Sequence, residues 1–397
     1  MLFARFLHPL MKKGTLTIID HTGQTHICGN GGPPHITVRF KDPSLGTKLF
    51  LNPALHAGEG YMNGTLLVEN ADLYDMLALV MSNLAGYHGH WLARSLKSVE
   101  RLMSLIRTYN PVARSRTNVA HHYDLSTALY RTFLDEHMQY SMAYFRTPDD
   151  TLENAQIQKM AHIAKKLQLT PGQTVLDIGC GWGGLALYLH RAHGVQVVGI
   201  SLSERQIEVA QQRAAAENVG PAVTFRLQDY RHVRETFDRV VSVGMFEHVG
   251  IPHYRRFFDV VHDRLGPDGV AVLHTIGRTD GPGATDSWTD KYIFPGGYSP
   301  ALSEIIPHIE RSGLIIADVE ILRLHYAATL REWRRRFMAQ RDEIEKLYDT
   351  RFCRMWEFFL SSAEAAFHYG AHVNFHIQMS KRLETIPLTR DYMYRSP

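Results

Sequence analysis

Residues Val175-Leu-Asp-Ile-Gly-Cys-Gly-Trp-Gly-Gly184 constrain this chain more than any other stretch. A short apolar run enters a turn in which four of the six residues from Gly179 to Gly184 are glycine, and the helical Leu185-Ala-Leu-Tyr-Leu189 follows at once. Glycine turns tightly and lets backbone approach a ligand without a Cβ in the way, so the pattern reads as a strand handing over directly to a helix. The surrounding sequence repeats the theme. Strands are predicted over 174–178, 195–201, 223–228, 239–243 and 270–276, with helices over 203–217 and 253–265. Such alternation argues for an α/β fold, a parallel sheet covered by helices on both faces. Beyond a further strand at 314–324 come two charged helices, and then 372–381 alternates like a closing strand.

The rest of the chain divides around this core. Length alone, 397 residues, suggests two domains. Residues 14–69 alternate short apolar runs with Gly/Pro turns, and from 71 to about 107 apolar residues recur at helical spacing, so 1–110 is expected to be a smaller N-terminal α+β domain. The polar stretch 111–118 reads as a linker, leaving 119–397 for the α/β domain. With 45% hydrophobic and 21% charged residues, disorder is excluded as the main state. Cys28, Cys180 and Cys353 form no CxxC pair, which excludes a disulfide scaffold and a zinc knuckle and fits a reducing cytoplasm. A net charge of +3 is too small to imply a nucleic-acid partner. No run of about 18 apolar residues occurs, and the start of the chain lacks the order of a secretory signal. A cytoplasmic protein is the expectation.

The glycine turn poses a choice of ligand. Dinucleotide sites want an acidic residue about 20 positions on to hold ribose hydroxyls. Here Val197-Val-Gly-Ile-Ser-Leu-Ser203 carries no acid at the strand end, and Glu204 comes only after the Ser203 helix cap. Asp177, before the glycines, and Asp229, in Leu227-Gln-Asp-Tyr230 after a third strand, are instead placed as in methyltransferases. Asp177 would orient the methionine end of S-adenosylmethionine and Asp229 would accept the adenine amino group. The sheet is therefore expected to be a Rossmann-like, S-adenosylmethionine-dependent methyltransferase sheet.

Four strings carry a more specific likeness: Asp177–Gly184, Val243-Gly-Met-Phe-Glu-His-Val-Gly250, Leu273-His-Thr-Ile-Gly277 and Lys291-Tyr-Ile-Phe-Pro-Gly-Gly297. With His121-His-Tyr-Asp-Leu125, Gln139-Tyr-Ser-Met-Ala-Tyr-Phe145 and Gly58-Glu-Gly-Tyr-Met-Asn-Gly64, they make the chain resemble the cyclopropane-fatty-acyl-phospholipid synthases and the related mycolic acid methyltransferases. The resemblance spans nearly the whole chain, and the Gly58–Gly64 string, which the mycolic acid methyltransferases lack, draws it toward the two-domain bacterial enzymes. It implies methyl transfer from S-adenosylmethionine to a cis double bond in the acyl chain of a membrane phospholipid. Tyr140, Ser141, Gly179, Cys180, Gly181 and Gly183 would contact the cofactor, together with Ser201, Leu202, Gln206, Gln228, Asp229 and Tyr230. It also implies a bicarbonate ion held by Glu247, His274 and Tyr326, with backbone groups near Ile276 and Met142; the family cysteine is replaced by Met142, which puts the product outcome in question. A homodimer in peripheral contact with the inner face of the membrane is expected.

The chemistry asks for these groups. An alkene attacking a sulfonium methyl leaves a carbocation, and ring closure requires a base to take a proton from the transferred methyl group. A protein carboxylate risks alkylation there, whereas an exchangeable anion does not. Taken singly, Glu247 also fits a helix-start carboxylate, His274 a satisfied core histidine and Tyr326 simple packing. Cys180 reads as a small side chain in a turn, not a nucleophile. His121–His122 and His88–His90 lack the partners of a zinc site, so no metal is expected. The aperiodic 278–290 would border an acyl tunnel or simply loop at the surface. Arg331, Arg334, Arg335, Arg336 and Arg341 form either a solvated face or a headgroup contact, and Leu2, Phe3, Phe6, Leu7 and Leu10 with Arg5, Lys12 and Lys13 would touch lipid.

Overall fold

The computed structural model describes residues 1–84 and 126–394. The linker at 111–118 and the His88–His90 and His121–Asp124 groups lie outside the described residues. By its contacts the chain forms two compact units. The first gathers residues 1–100, 285–295 and 330–371, and the second residues 101–284, 296–329 and 372–397. A single cut between 110 and 119 therefore does not describe how the chain divides: two later stretches belong with the N-terminal residues.

In the first unit, β1 (Thr15–Ile19), β2 (Thr25–Gly29), β3 (His35–Phe40) and β4 (Leu66–Val68) form a sheet in the order β2-β1-β3-β4. Helices Pro53–Met62, Leu73–Leu84 and Thr350–Tyr369 belong to the same unit. Trp288, from the short helix Ser287–Tyr292, is buried with its Nε1 donating to Met62 Sδ at 3.1 Å and its ring 4.7 Å from Phe358. Gly58 makes the room, because a Cβ there would lie 2.3 Å from Trp288 Nε1. Glu59 accepts from Lys291 Nζ at 2.8 Å and from the Tyr292 hydroxyl at 2.9 Å. Two strings 230 residues apart thus lock together.

The second unit holds the seven-stranded sheet: β5 (Thr174–Ile178), β6 (Gln196–Ser201), β7 (Val223–Leu227), β8 (Phe237–Val243), β9 (Leu265–Arg278), β10 (Ile315–Leu322) and β11 (His372–Ser380). Their order is β10-β11-β9-β8-β5-β6-β7. β5 to β9 run parallel, and β11 enters antiparallel to both β9 and β10. Pleating sends alternate residues to opposite faces. Val175, Val197, Val241 and Val272 pack under Ile163, Leu167, Leu185 and Ala210. Leu176, Val240, Ala271 and Leu273 pack with Phe257, Val261, Ile305 and Ile309 on the other face. Both faces are covered, as a parallel sheet requires. The site then falls where open α/β sheets place ligands, beyond the carboxyl ends of the strands.

Candidate active site

At the carboxyl ends of β5, β6 and β8 lies a cleft of about 1070 Å³, its open mouth included. Tyr140, Ser141, Asp177, Gly179, Cys180, Gly181, Ser201, Leu202, Gln206, Gln228, Asp229 and Tyr230 all line it. Gly181 has φ +54° and nothing within 4 Å of where a Cβ would project, so its bare backbone faces open space that a ligand can occupy. Gly183 departs from expectation and does not line the cleft. It starts helix Gly184–His193 with φ +80°, and a Cβ would lie 2.6 Å from the Phe225 ring, so packing demands this glycine.

Where a dinucleotide fold would put its acid, the end of β6 carries a neutral pair. The Ser201 hydroxyl donates to Gln206 Oε1 at 3.0 Å, and Ser203 caps the following helix by accepting from Gln206 N. Asp229 is engaged by Arg231, which donates from Nε at 2.8 Å and from its backbone N at 2.9 Å. Burial pushes the Asp229 carboxyl up, but the bonds and charge of Arg231 outweigh it and hold the pKa low. Burial drives the Cys180 thiol well above its ordinary range, as a packing role requires.

Asp177 is buried with Oδ2 unpartnered among the described residues. Beneath it lies Lys159, fully buried on the inner face of helix Leu152–Leu167, a residue that sequence reasoning passed over. Its Nζ donates to Gln139 Oε1 at 2.5 Å and to Ser141 Oγ at 2.9 Å, while Gln156 Nε2 donates to the carbonyls of Gln139 and Ser141. Burial pushes Asp177 up and Lys159 down, and each charge eases the other. The available signal was position: Lys159 and Gln156 interrupt the apolar stripe of an amphipathic helix. Met138, Trp182, Arg231, Met245 and His248 also line the cleft without having been singled out, although Trp182, Met245 and His248 belong to strings already noticed.

Glu247 and His248 sit side by side in the turn after β8. His248 lines the cleft, and burial lowers its pKa to about 4. Glu247 turns toward β9 instead, where its Oε1 accepts from Ile276 N at 2.6 Å and its buried Oε2 has no hydrogen-bond partner among the described residues. Burial raises its pKa to about 7 against the opposing backbone bonds of Ile276 and Glu247 and the Thr275 side chain. The Ile276 amide expected to face an ion is thus committed to Glu247. His274, on the same strand, is buried and lowered to about 3; its Nδ1 is 2.8 Å from His376 Nε2. Met142 is fully buried in a segment tied to the start of helix His325–Ala339, where Ala143 N donates to Thr329 Oγ1 at 3.0 Å and Phe145 N to His325 Nδ1 at 3.2 Å. Half-buried Tyr326 lies in that first helical turn. The folding brings Glu247 to Ile276, and Met142 to the segment of Tyr326.

A mostly parallel seven-stranded sheet with one antiparallel strand near its edge, and a glycine-turn cleft at the strand ends, define an S-adenosylmethionine-dependent methyltransferase fold. Solved structures agree: cyclopropane synthase MmaA2 from Mycobacterium tuberculosis is 31% identical with a TM-score of 0.65, covering 69% of this chain and 99% of that one. Mycolic acid cyclopropane synthase CmaA1 complexed with SAH is 32% identical, TM-score 0.64, covering 68% and 98%. Residues 111–377 match the mycolic acid cyclopropane synthetase family, and the chain belongs to it. The cyclopropane-fatty-acyl-phospholipid synthase of Escherichia coli strain K12 is 38% identical over 85% of this chain and 86% of its own. Tuberculostearic acid methyltransferase UfaA1 of M. tuberculosis is 38% identical over 79% and 75%. The relatives indicate an S-adenosylmethionine-dependent enzyme with cyclopropane fatty acid synthase activity.

Proposed function

We propose that this enzyme transfers a methylene unit from S-adenosylmethionine to the cis double bond of an unsaturated phospholipid acyl chain, forming a cyclopropane ring. The carrying observation is the buried Oε2 of Glu247, without a hydrogen-bond partner among the described residues, one residue before His248 of a cleft whose glycine turn leaves room for the methyl donor. The cleft residues hold the donor: Asp177 offers a free carboxylate oxygen, and the Ser201–Gln206 pair offers polar atoms at the end of β6. Tyr140, on the cleft wall, and Met142, buried two residues on, exclude water from the developing carbocation.

Bicarbonate, when bound, would supply an exchangeable base that the cation cannot alkylate irreversibly into the protein. One unsatisfied atom fits such an ion: Glu247 Oε2, without a hydrogen-bond partner among the described residues, is an acceptor for the single hydroxyl proton of bicarbonate, whose other oxygens ask for donors. Tyr326 would donate, and His274 supplies a neutral imidazole. Ile276 acts by fixing Glu247. A branched-chain product is the second reading. It is favoured by Met142 in place of the family cysteine and by a relative named as a methyltransferase.

Membrane contact is assigned to the first unit's N-terminal face. Exposed Leu2, Phe6, Phe50 and Leu51 cluster there, with the Phe6 and Phe50 rings 5.6 Å apart, alongside exposed Arg5. The arginine helix is a weaker candidate, because Arg334, Arg335, Arg336 and Arg341 pair with Glu364, Glu332 and Glu357. Among the described residues no helix is long and apolar enough to cross a membrane.

The test is incubation with methyl-labelled S-adenosylmethionine and vesicles of unsaturated phospholipid, followed by analysis of the acyl esters. Labelled cyclopropane esters are expected. Labelled branched esters would favour the second reading, and unlabelled lipid from cofactor-bound protein would overturn both.

A further inference from the structure

One wall of the cleft is a strap without helix or strand, residues 134–143, from which Met138, Gln139, Tyr140 and Ser141 line the space. Such a strap has no ladder to satisfy its backbone, so side chains, its own and its neighbours', do it. Asp135 accepts from the amides of His137 and Gln139, both at 2.9 Å. Arg213 donates to the carbonyl of His137 at 3.2 Å and to that of Trp182, in the glycine turn, at 2.9 Å. Gln156 Nε2 spans the carbonyls of Gln139 and Ser141 at 3.2 and 3.0 Å. These bonds fix the strap, and none of them calls for a cation on the helix Leu152–Leu167.

Lys159 therefore does something that the backbone does not ask for. Methionine would fill the same buried helix face without the cost of burying an ammonium. The charges of Asp135 and Asp177 favour the ammonium against burial, which lowers its pKa to about 7. An ammonium has N–H groups and no lone pair, so toward Gln139 Oε1 at 2.5 Å and Ser141 Oγ at 2.9 Å it can only donate. Ser141 Oγ thus receives a proton from behind, and its own hydroxyl proton points away from Lys159. No acceptor bonds that proton among the described residues, and Ser141 lines the cleft.

The strand order says which end of a ligand meets it. β5, β6 and β7 are neighbours, so Asp177 on β5, Ser201 at the end of β6 and Asp229 after β7 stand in line across the cleft. With adenine at Asp229, the amino-acid end of the methyl donor falls at Asp177 and at Ser141, which meet through Lys159. That end carries one cation and one anion. The Asp177 carboxylate accepts from the ammonium, and the outward proton of Ser141 is placed for the carboxylate. We infer, resting on the methyl donor's place in this cleft, that Lys159 is a positioning residue: by donating to Ser141 Oγ from behind, it makes the hydroxyl a donor toward the ligand's carboxylate. Without Lys159, buried Gln139 Oε1 loses its partner and competes for the same proton.

Calorimetry of the full chain at about pH 6.5 tests this with three ligands: S-adenosylhomocysteine, its decarboxylated analogue, and methylthioadenosine, which lacks the amino-acid end. Ser141→Ala should weaken S-adenosylhomocysteine about tenfold and the decarboxylated analogue less than about twofold. In a Lys159→Met background the same substitution should cost S-adenosylhomocysteine less than about threefold, with methylthioadenosine bound as in the parent. In a Gln156→Leu background the strap loosens but the Ser141 hydroxyl keeps its donor, so the cost of about tenfold should persist. Equal costs of Ser141→Ala in the parent and in Lys159→Met overturn the inference. So do equal losses for S-adenosylhomocysteine and its decarboxylated analogue, a comparison that needs no Lys159 variant to fold. An unmodified chain that binds none of the three removes the methyl donor from the cleft and the inference with it. The expected pattern in an enzyme that makes no cyclopropane lipid would uphold the positioning and remove only the reaction.

Discussion

Replacing Glu247 by Gln should make the protein more stable and the enzyme worse. Burial moves the pKa of this carboxyl from 4.5 to about 7. At ~1.4 kcal/mol per pH unit, holding the charge at pH 8 costs the fold about 3 kcal/mol. The sign follows from the direction of the displacement. Below pH 4.5 the group is protonated in both folded and unfolded chains and contributes its full stabilisation. That advantage is lost as pH rises through the folded pKa near 7. Glutamine never ionises and keeps the bond from Ile276 N through its own carbonyl oxygen. Denaturant unfolding should therefore show Glu247→Gln near parity with the parent at pH 5 and more stable by about 3 kcal/mol at pH 8. Turnover should fall by about one to two decades, since a lost charge-assisted bond in a dry site is worth roughly 1.5–3 kcal/mol. The rise of the parent's rate with pH through about 7 should vanish. A stability gain that is equal at both pH values, or a variant with full cyclopropane activity in bicarbonate-depleted buffer, would refute the reasoning.

Other perturbations probe neighbouring parts. Gly181→Val fills the open space facing the cleft with strained backbone, and calorimetry with S-adenosylhomocysteine should show affinity reduced at least about a hundredfold in a folded protein. Lys159→Met removes the cation that eases Asp177, so cofactor affinity should drop about tenfold and more at pH 6.5 than at pH 7.5; an equal loss at both would count against the pairing. Trp288→Ala leaves a cavity against Met62 and Phe358, and thermal unfolding should report a loss of about 3–5 kcal/mol. Vesicle sedimentation should weaken for Phe6→Ser with Leu51→Ser more than for Arg335→Gln, and the reverse order would return the arginine helix to the membrane.

Much of the second unit was legible because its strands are short, apolar and bounded by turn residues. β5 matches its expected span, and β6, β7, β10 and β11 differ by a residue or two at their ends. β9 starts at Leu265, five residues early, because Leu-Gly-Pro-Asp-Gly269 reads as a turn; pairing of Leu265 with Phe237 across a register shift holds it in the sheet. The cofactor cleft was legible for a similar reason: its residues are carried by strand ends and the turns after them. Lys159 and His376 were not. Both sit where a local pattern suggests something ordinary, a surface lysine or a solvent-facing strand residue, and only tertiary packing buries them. The make-up of the first unit was hidden too, since nothing in Trp288 or Thr350–Tyr369 announces an association with residues near the start of the chain.

That three-part make-up sets a timetable for biosynthesis. Residues 1–84 leave the ribosome early, yet the helix Thr350–Tyr369 of their unit is made nearly 300 residues later. At ~5–20 residues per second the apolar surfaces of Met62 and Leu77 wait roughly 15–60 s before their compact unit is complete. The second unit is likewise interrupted until β11 emerges. Neither can finish as an independent early domain, so the nascent chain carries unfinished cores through most of its synthesis. A fragment ending at residue 110 would keep that exposure permanently and should aggregate when expressed alone.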